Sequence, residues 1–238
     1  MKKRLYFISG LPRTGSTLLS AILNQNPRFY SGPTSPVVKV MYKLTEFFNN
    51  DELFLAYPKV NQTEKYIVDF IKYYYADINQ EVIFDKNRFW TEIIDTIKNY
   101  FKIEPKIICT VRDIAEIYTS IQNTNLKLDH ELLAPNDNLI VGPYKALKDA
   151  FTKHRELIHI VEYNSLVNNP KETMIDIYKF LGENYYQHTF NSIEQQYKEN
   201  DLTAYGVNLH TVRSKLNLST TKPTQDIIDK CKGMEFWR

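Results

Sequence analysis

Cysteine, glycine and long apolar runs are all scarce in this chain of 238 residues. Its two cysteines, Cys109 and Cys231, are too few and too far apart for a disulfide framework or a cysteine zinc site. No stretch approaches the ~20 consecutive apolar residues that a membrane-spanning helix needs. The apolar run that follows Met1–Arg4 is also too short for a secretory signal. We therefore predict a cytoplasmic protein without membrane insertion.

A strong excess of one charge is also missing. The chain has 30 Lys and Arg against 28 Asp and Glu, which leaves a net charge of +2. This balance is not typical of a protein that coats nucleic acid, so we predict no nucleic-acid partner. Any anion site must then be built locally, from a few placed side chains.

The pattern of apolar residues predicts an α/β fold. Short apolar runs, typical of strands buried on both faces, alternate with segments of helical periodicity. The alternation predicts a mainly parallel sheet of about four to five strands flanked by helices. We find no repeat or linker and predict a single domain over residues 1–238. The predicted strands are Arg4–Ser9, Phe29–Ser31, Glu81–Phe84, Pro105–Val111 and Leu157–Val161. The predicted helices are Ser16–Leu23, Val37–Phe48, Thr63–Tyr75, Trp90–Tyr100, Ile114–Ile121, Tyr144–His154 and Lys171–Leu181.

The segment Gly10–Thr17 lies between the first predicted strand and the first predicted helix. Two glycines five residues apart at such a turn leave backbone N–H groups and a helix N-terminus to bind an anion, as in P-loop proteins. A nucleotide-hydrolysing P-loop carries a lysine where this chain has Ser16. The nearest cation in the loop is Arg13, which suits neutralisation of a leaving group better than binding of a γ-phosphate.

Two further strands end in residues that suit an anion. Arg112 follows the strand Pro105–Val111, and Ser120 lies eight residues later on the next predicted helix. Lys86 follows the strand Glu81–Phe84. Because ligands of parallel α/β sheets bind at the carboxyl ends of the strands, these side chains are candidates for one site. An Arg112–Asp113 ion pair and a surface lysine are the structural alternatives.

The loop sequence GLPRTGSTLL resembles the 5′-phosphosulfate loop of the sulfotransferase superfamily, particularly its tyrosylprotein and bacterial branch. Asn26–Pro27 and Gly32 follow at the spacing of that branch, and the resemblance runs patchily from about Arg4 to Gly182. It implies transfer of a sulfuryl group from 3′-phosphoadenylyl sulfate (PAPS) to a hydroxyl or amine of an unidentified acceptor. Adenosine 3′,5′-bisphosphate (PAP) would leave, and no metal would be required.

The resemblance also implies roles for individual residues. The loop would hold the 5′ end of the donor through Arg13, Thr14, Gly15, Ser16 and Thr17. Arg112 and Ser120 would bind the 3′-phosphate, and Lys86 would stabilise the sulfuryl group during transfer.

Two later segments add candidates for cofactor binding. Tyr163 matches a tyrosine near the nucleotide, although Asn164 stands where the family usually has glutamate. Family members also close a late loop over the cofactor. We therefore expect the part of this chain from about residue 185 to cover it. The candidates there are Arg213, Ser214 and Lys215, with a solvated basic turn as the structural alternative.

The general base is not evident from the sequence. The related branch has a glutamate directly after its glycine, but Pro33 follows Gly32 here. Candidate replacements are His210, His130, Glu46 and Asp85, because a base needs only reach and a workable pKa. We favour His210 as the catalytic base, since its segment is expected to cover the site.

Two other functions are compatible with the sequence. A P-loop nucleotide or small-molecule kinase would use Asp85 or Asp113 to hold magnesium, although Ser16 in the lysine position argues against it. A non-catalytic nucleotide-binding module would have kept the loop and lost the base.

Overall fold

The computed structural model describes residues 3–57, 62–128, 131–218 and 222–238. Five strands form one sheet in the order β2-β3-β1-β4-β5, and every neighbouring pair is parallel. The predicted α/β fold is confirmed. The strands are β1 (Arg4–Gly10), β2 (Phe29–Thr34), β3 (Val82–Lys86), β4 (Ile107–Val111) and β5 (Ile158–Glu162).

Helices connect the strands and cover both faces of the sheet. None of those in the described ranges is both long enough and apolar enough to cross a membrane. They are α1 (Ser16–Leu23), α2 (Val37–Asn50), α3 (Glu52–Ala56), α4 (Thr63–Tyr74), α5 (Ile94–Phe101), α6 (Ile114–Gln122), α7 (Val141–Lys153), α8 (Tyr163–Asn168), α9 (Pro170–Leu181), α10 (Asp201–Tyr205) and α11 (Gln225–Cys231).

Most predicted helices agree with these bounds, and α1 agrees at both ends. The segment Trp90–Tyr100 differs, because it is not one helix but a 3-10 turn, Arg88–Glu92, followed by α5. The Asn87 side chain accepts the Phe89 N–H and caps this turn at the end of β3. The indole N–H of Trp90 donates to Asp85 at 2.8 Å, which holds the turn against the strand.

The core consists of two apolar layers, one on each face of the sheet. Phe7 and Ile8 are adjacent on β1 and point to opposite layers, as alternate residues of a strand must. Every residue of β3 and β4 is buried. β4 is apolar except for Thr110, as expected of a strand covered on both faces, whereas β3 ends in two buried charged residues, Asp85 and Lys86.

The parallel register places several chemically useful residues at one edge of the sheet. Ile8 pairs with Lys86, the last residue of β3, and Gly10 pairs with Thr110 near the end of β4. Arg112 and Tyr163 directly follow β4 and β5. This carboxyl edge is where ligands bind in open parallel sheets.

Gly10 should contribute strongly to the stability of the fold. Its φ is +115°, and a β-carbon there would lie 2.2 Å from the Thr110 carbonyl oxygen. We expect Gly10→Ala to lower the free energy of unfolding by at least about 3 kcal/mol, because left-handed strain and backbone overpacking add. Urea denaturation measures this. Gly206→Ala is the control, since φ there is +72° but nothing lies within 4 Å of the added carbon. Equal losses in the two variants would contradict the packing argument.

Candidate active site

The loop between β1 and α1 forms a cradle of backbone groups at the edge of the sheet. Gly10, Arg13 and Gly15 all have positive φ, so the chain turns sharply before α1 begins at Ser16. A β-carbon on Gly15 would lie 2.8 Å from the ring of Tyr163. The glycine therefore allows the loop to pack directly beside that ring, and the N-terminus of α1 faces the same side.

The Thr14 side chain ties the loop to β4. Its buried hydroxyl donates to the Leu11 carbonyl oxygen at 2.7 Å and lies 2.6 Å from the Thr110 hydroxyl. Because both contacts are internal, the side chain is committed to holding the loop. Ser16 and Thr17, by contrast, line an open cavity above it.

The cavity has a volume of about 430 Å³ and extends from the loop to β4, α8 and the late segment 205–217. Its lining is strongly basic, and no Asp or Glu of the described residues belongs to it. A space with this lining attracts anions even though the whole chain is almost neutral. The basic side chains of the lining are Arg13, Lys86, Arg88, Arg112, Arg213 and Lys215.

Arg13 spans the cavity between two distant parts of the chain. Its Nε donates to the Ser120 hydroxyl at 3.3 Å, and an Nη donates to the Leu209 carbonyl oxygen. Burial lowers the pKa of Arg13, and the nearby positive charge of Arg112 lowers it further. Two guanidinium groups held this close favour a ligand with several negative charges.

Arg112 is held in place from two sides. Its Nε donates to a carboxylate oxygen of Glu116 at 2.7 Å, and its guanidinium carbon lies 4.5 Å from the centre of the Tyr163 ring. A stacked, ion-paired arginine has few conformations left, so its remaining donors point in fixed directions. Ser120 lies two turns along α6 and lines the same cavity.

Lys86 forms the most enclosed ion pair in the site. Its Nζ lies 2.9 Å from an oxygen of Glu199, and the two side chains are only 5% and 10% exposed. The same carboxylate accepts the Thr34 N–H at 3.0 Å. Burial alone would raise the pKa of the Glu199 carboxyl, but the Lys86 charge and hydrogen bond, together with His210, hold it below its usual value.

His210 is oriented by two carboxylates. Its Nδ1 lies 2.7 Å from Asp201 and 3.1 Å from Glu199. The second Asp201 oxygen accepts the backbone N–H groups of Leu209 and His210 at 2.8 and 2.7 Å. Within the described part of the chain, hydrogen bonding of the ring is confined to Nδ1, so Nε2 can accept a proton in the cavity that His210 lines.

Comparison with known proteins identifies the family. A family model described as the sulfotransferase family matches residues 6–187. The chain belongs to this family. A search of curated protein sequences found no match.

Solved structures with the same fold include other sulfotransferases. The sulfotransferase domain of the Synechococcus PCC 7002 olefin synthase is similar at 19% identity, with 96% of this chain and 94% of that chain covered and a TM-score of 0.52. The sulfotransferase from Alicyclobacillus acidocaldarius is similar at 15% identity, with 86% and 89% covered and the same TM-score, 0.52. The sulfotransferase domain of the curacin biosynthetic pathway is similar at 14% identity, covering 99% and 92%, with a TM-score of 0.51.

The structure of the sulfotransferase brings most of the predicted site residues together. All of them except Ser214 line the cavity, at Arg13, Thr14, Gly15, Ser16, Thr17, Lys86, Arg112, Ser120, Tyr163, His210, Arg213 and Lys215. Ser214 is exposed outside the lining, and its carbonyl oxygen accepts the Ile193 N–H at 2.8 Å.

Two of the candidate bases, Asp85 and Glu46, do not line the cavity. Asp85 is fully buried, accepts hydrogen bonds from Ser35, Tyr75 and Trp90, and does not line the cavity. Glu46 is on the exposed part of α2 and pairs with Lys43 at 2.6 Å. His130 lies outside the described residues.

Sequence reasoning missed four charged residues of the site, Glu116, Glu199, Asp201 and Arg88. Glu199 lies in an irregular segment without periodicity, so its contact with Lys86 could not be inferred from spacing. Arg88 is two residues after Lys86 and lines the cavity, and its place in the apolar-flanked sequence DKNRFW was a usable signal.

The Lys86–Glu199 pair should make stability depend on pH. The pKa of Glu199 is depressed in the folded state. The ionised carboxylate therefore adds to the free energy of unfolding above the unfolded pKa of about 4.3, and this contribution is lost as pH falls below that value. We expect Glu199→Gln to lower the free energy of unfolding by about 1–3 kcal/mol at pH 7, with the difference shrinking below about pH 4.

Urea denaturation of both proteins between pH 7 and pH 3 measures this. The control is Glu46→Gln, whose exposed pair with Lys43 should change stability by less than about 0.5 kcal/mol. A difference between wild type and Glu199→Gln that stays constant down to pH 3 would contradict the prediction.

Proposed function

We propose that this sulfotransferase uses PAPS as its donor and transfers the sulfuryl group, in line, to a hydroxyl or amine of an acceptor bound in the same cavity. The observation that carries the proposal is the cavity itself. A P-loop without the ATP-type lysine opens into a space lined by six basic side chains and, among the described residues, by no carboxylate. PAPS is a polyanion of adenosine, and this lining suits it.

The donor would be held at its two ends. Backbone N–H groups of Gly10–Thr17 and the N-terminus of α1 would bind the 5′-phosphosulfate. Arg112 would bind the 3′-phosphate with the donors that Glu116 leaves free, and Ser120 would add a hydroxyl. Arg213 and Lys215, exposed on the late segment, would close this side.

Two cations would stabilise the charge that develops during transfer. As the acceptor oxygen or nitrogen attacks the sulfur, the bond from sulfur to the bridging oxygen breaks and PAP leaves. Arg13 would neutralise the bridging oxygen, and Lys86 would bind the equatorial oxygens. Preorganised donors of this kind are each worth roughly 10²–10³ in rate in other enzymes. We expect no requirement for a metal, because the basic side chains supply the positive charge.

His210 would be the general base. Its Nδ1 is hydrogen-bonded to Asp201 at 2.7 Å and lies 3.1 Å from Glu199, so the neutral ring presents an unprotonated Nε2. The acceptor proton would pass to Nε2 as the new bond to sulfur forms. The two carboxylates would stabilise the imidazolium that results. One ring nitrogen of His210 and one carboxylate oxygen each of Glu199 and Asp201 lie within 4.8 Å of one another, a spacing that could hold a metal ion. However, Lys86 and the backbone N–H groups of Leu209 and His210 already engage these carboxylates.

The other two functions have less support. A kinase would need a carboxylate for magnesium, but Asp85 is enclosed by three donors and Asp113 caps α6 by accepting the Glu116 N–H at 3.1 Å. A non-catalytic module would not need His210 oriented toward the cavity. The single-domain organisation, the cytoplasmic location and the absence of a nucleic-acid partner stay predictions.

Ligand binding tests the donor. We expect PAP to raise the melting temperature of the protein, whereas ATP with magnesium should have a much smaller effect, because the loop lacks its lysine. Arg112→Met should weaken PAP binding roughly 10- to 100-fold, as loss of a charged hydrogen-bond donor predicts. Arg238→Met removes an exposed arginine from outside the cavity and serves as the control. Stabilisation by ATP with magnesium and none by PAP would refute the proposal.

Kinetics test the catalytic roles once an acceptor has been found by radiolabel transfer from PAPS. We expect Lys86→Met to lower kcat roughly 10²–10³-fold, because it removes a transition-state donor. His210→Gln should lower kcat roughly 10²–10⁴-fold, because it removes the group that accepts the acceptor proton. Both variants should bind PAP within a few-fold of wild type. Lys43→Met, on the exposed part of α2, is the control. An unchanged kcat in His210→Gln would remove His210 from the role of base.

A further inference from the structure

Arg88 differs from the other enclosed cations of the cavity, because they all have partners. Lys86 pairs with Glu199, and Arg112 pairs with Glu116. Among the described residues, Arg88 forms no ion pair, and its side chain takes part in no hydrogen bond. The guanidinium carbon lies 5.9 Å from the centre of the Phe89 ring.

The surroundings of Arg88 make this lack of a partner costly. The side chain is partly buried, and burial lowers the pKa of the guanidinium. Tyr205, Asp137 and Glu92 act in the opposite direction from a distance. An arginine removed from water without a bonded acceptor loses hydration that nothing replaces. An anionic ligand that reached Arg88 would restore those interactions.

Arg88 is not among the residues assigned to the donor. It lies two residues beyond Lys86 and lines the same cavity, and its carbonyl oxygen accepts the Ser9 hydroxyl at 2.8 Å, beside the start of the loop. Tyr205 of α10 lines the same cavity as Arg88. Further apolar lining comes from Leu126, Leu139 and Leu209.

We propose that Arg88 binds a carboxylate of the acceptor, so that the substrate is a hydroxy or amino carboxylic acid with an apolar body. A guanidinium matches a carboxylate with two parallel hydrogen bonds. A phosphate dianion would call for more than one cation, and the others of the cavity are assigned to the donor or already paired. This inference rests on the proposed function, because it places the acceptor beside a PAPS site.

Binding to the PAP complex tests the inference without knowledge of the natural acceptor. The probes are matched pairs, 4-hydroxyphenylacetate with its methyl ester and 12-hydroxydodecanoate with its methyl ester. Isothermal titration into protein saturated with PAP measures both members of each pair. We expect at least one acid to bind roughly 10- to 100-fold more tightly than its ester, because the ester cannot form the charged pair.

Variants of Arg88 assign the preference to this side chain. Arg88→Gln should remove the preference for the acid and leave the dissociation constant of PAP within about twofold of wild type. Arg88→Lys should retain part of the preference for the acid, because lysine keeps the positive charge but cannot form the two parallel hydrogen bonds of a guanidinium. The matched control is Arg238→Gln, which removes an exposed arginine that pairs with Glu162 and should change neither quantity.

The outcomes separate this inference from the proposed function. Acids that bind no better than their esters, or not at all, while PAP binds, would overturn the inference alone. The same holds if Arg88→Gln weakens PAP instead of the acids, since Arg88 would then serve the donor. Failure of wild-type protein to bind PAP would overturn the proposed function, and the inference with it.

Discussion

The contact between Gly10 and the backbone of Thr110 determines how the rest of the site is placed. No side chain fits between these residues, so the end of β1 lies directly against the end of β4. The hydroxyl of Thr14 then bonds to that of Thr110, which ties the loop to the same strand. As a result the loop and Arg112 are held at a fixed separation, which a ligand with anionic groups at both ends requires.

Charge at the site is concentrated by placement and not by composition. A chain with a net charge of +2 brings six basic side chains to one cavity, and none of the Asp and Glu residues that the structure describes lines it. Glu116 and Glu199 face Arg112 and Lys86 from outside the lining, so they orient the cations and leave the cavity itself positive. These carboxylates weaken the attraction between the two cations and an anionic ligand only slightly, but they strongly restrict the side-chain conformations of Arg112 and Lys86.

The parts of the site that could be predicted from the sequence are local. Gly10–Thr17 combines strand, loop and helix within one short segment, and Arg112 follows a continuous apolar run, so spacing alone located both. Glu199 could not be found this way, because its contact with Lys86 joins segments 113 residues apart along the chain without any periodic pattern. Asp85 was misjudged for a related reason: its burial depends on Tyr75 and Trp90, which only the folded chain brings to it.

The late segment 199–210 holds both Arg13, through the Leu209 carbonyl oxygen, and Lys86, through Glu199. A polyanion that drew these two cations toward itself would weaken the contacts that keep the segment in place. By linkage, whatever loosens the segment favours entry of the donor, and its return favours departure of the spent nucleotide. The turnover number of such an enzyme can then be set by how easily this stretch of chain exchanges its partners, independently of the speed of the chemistry.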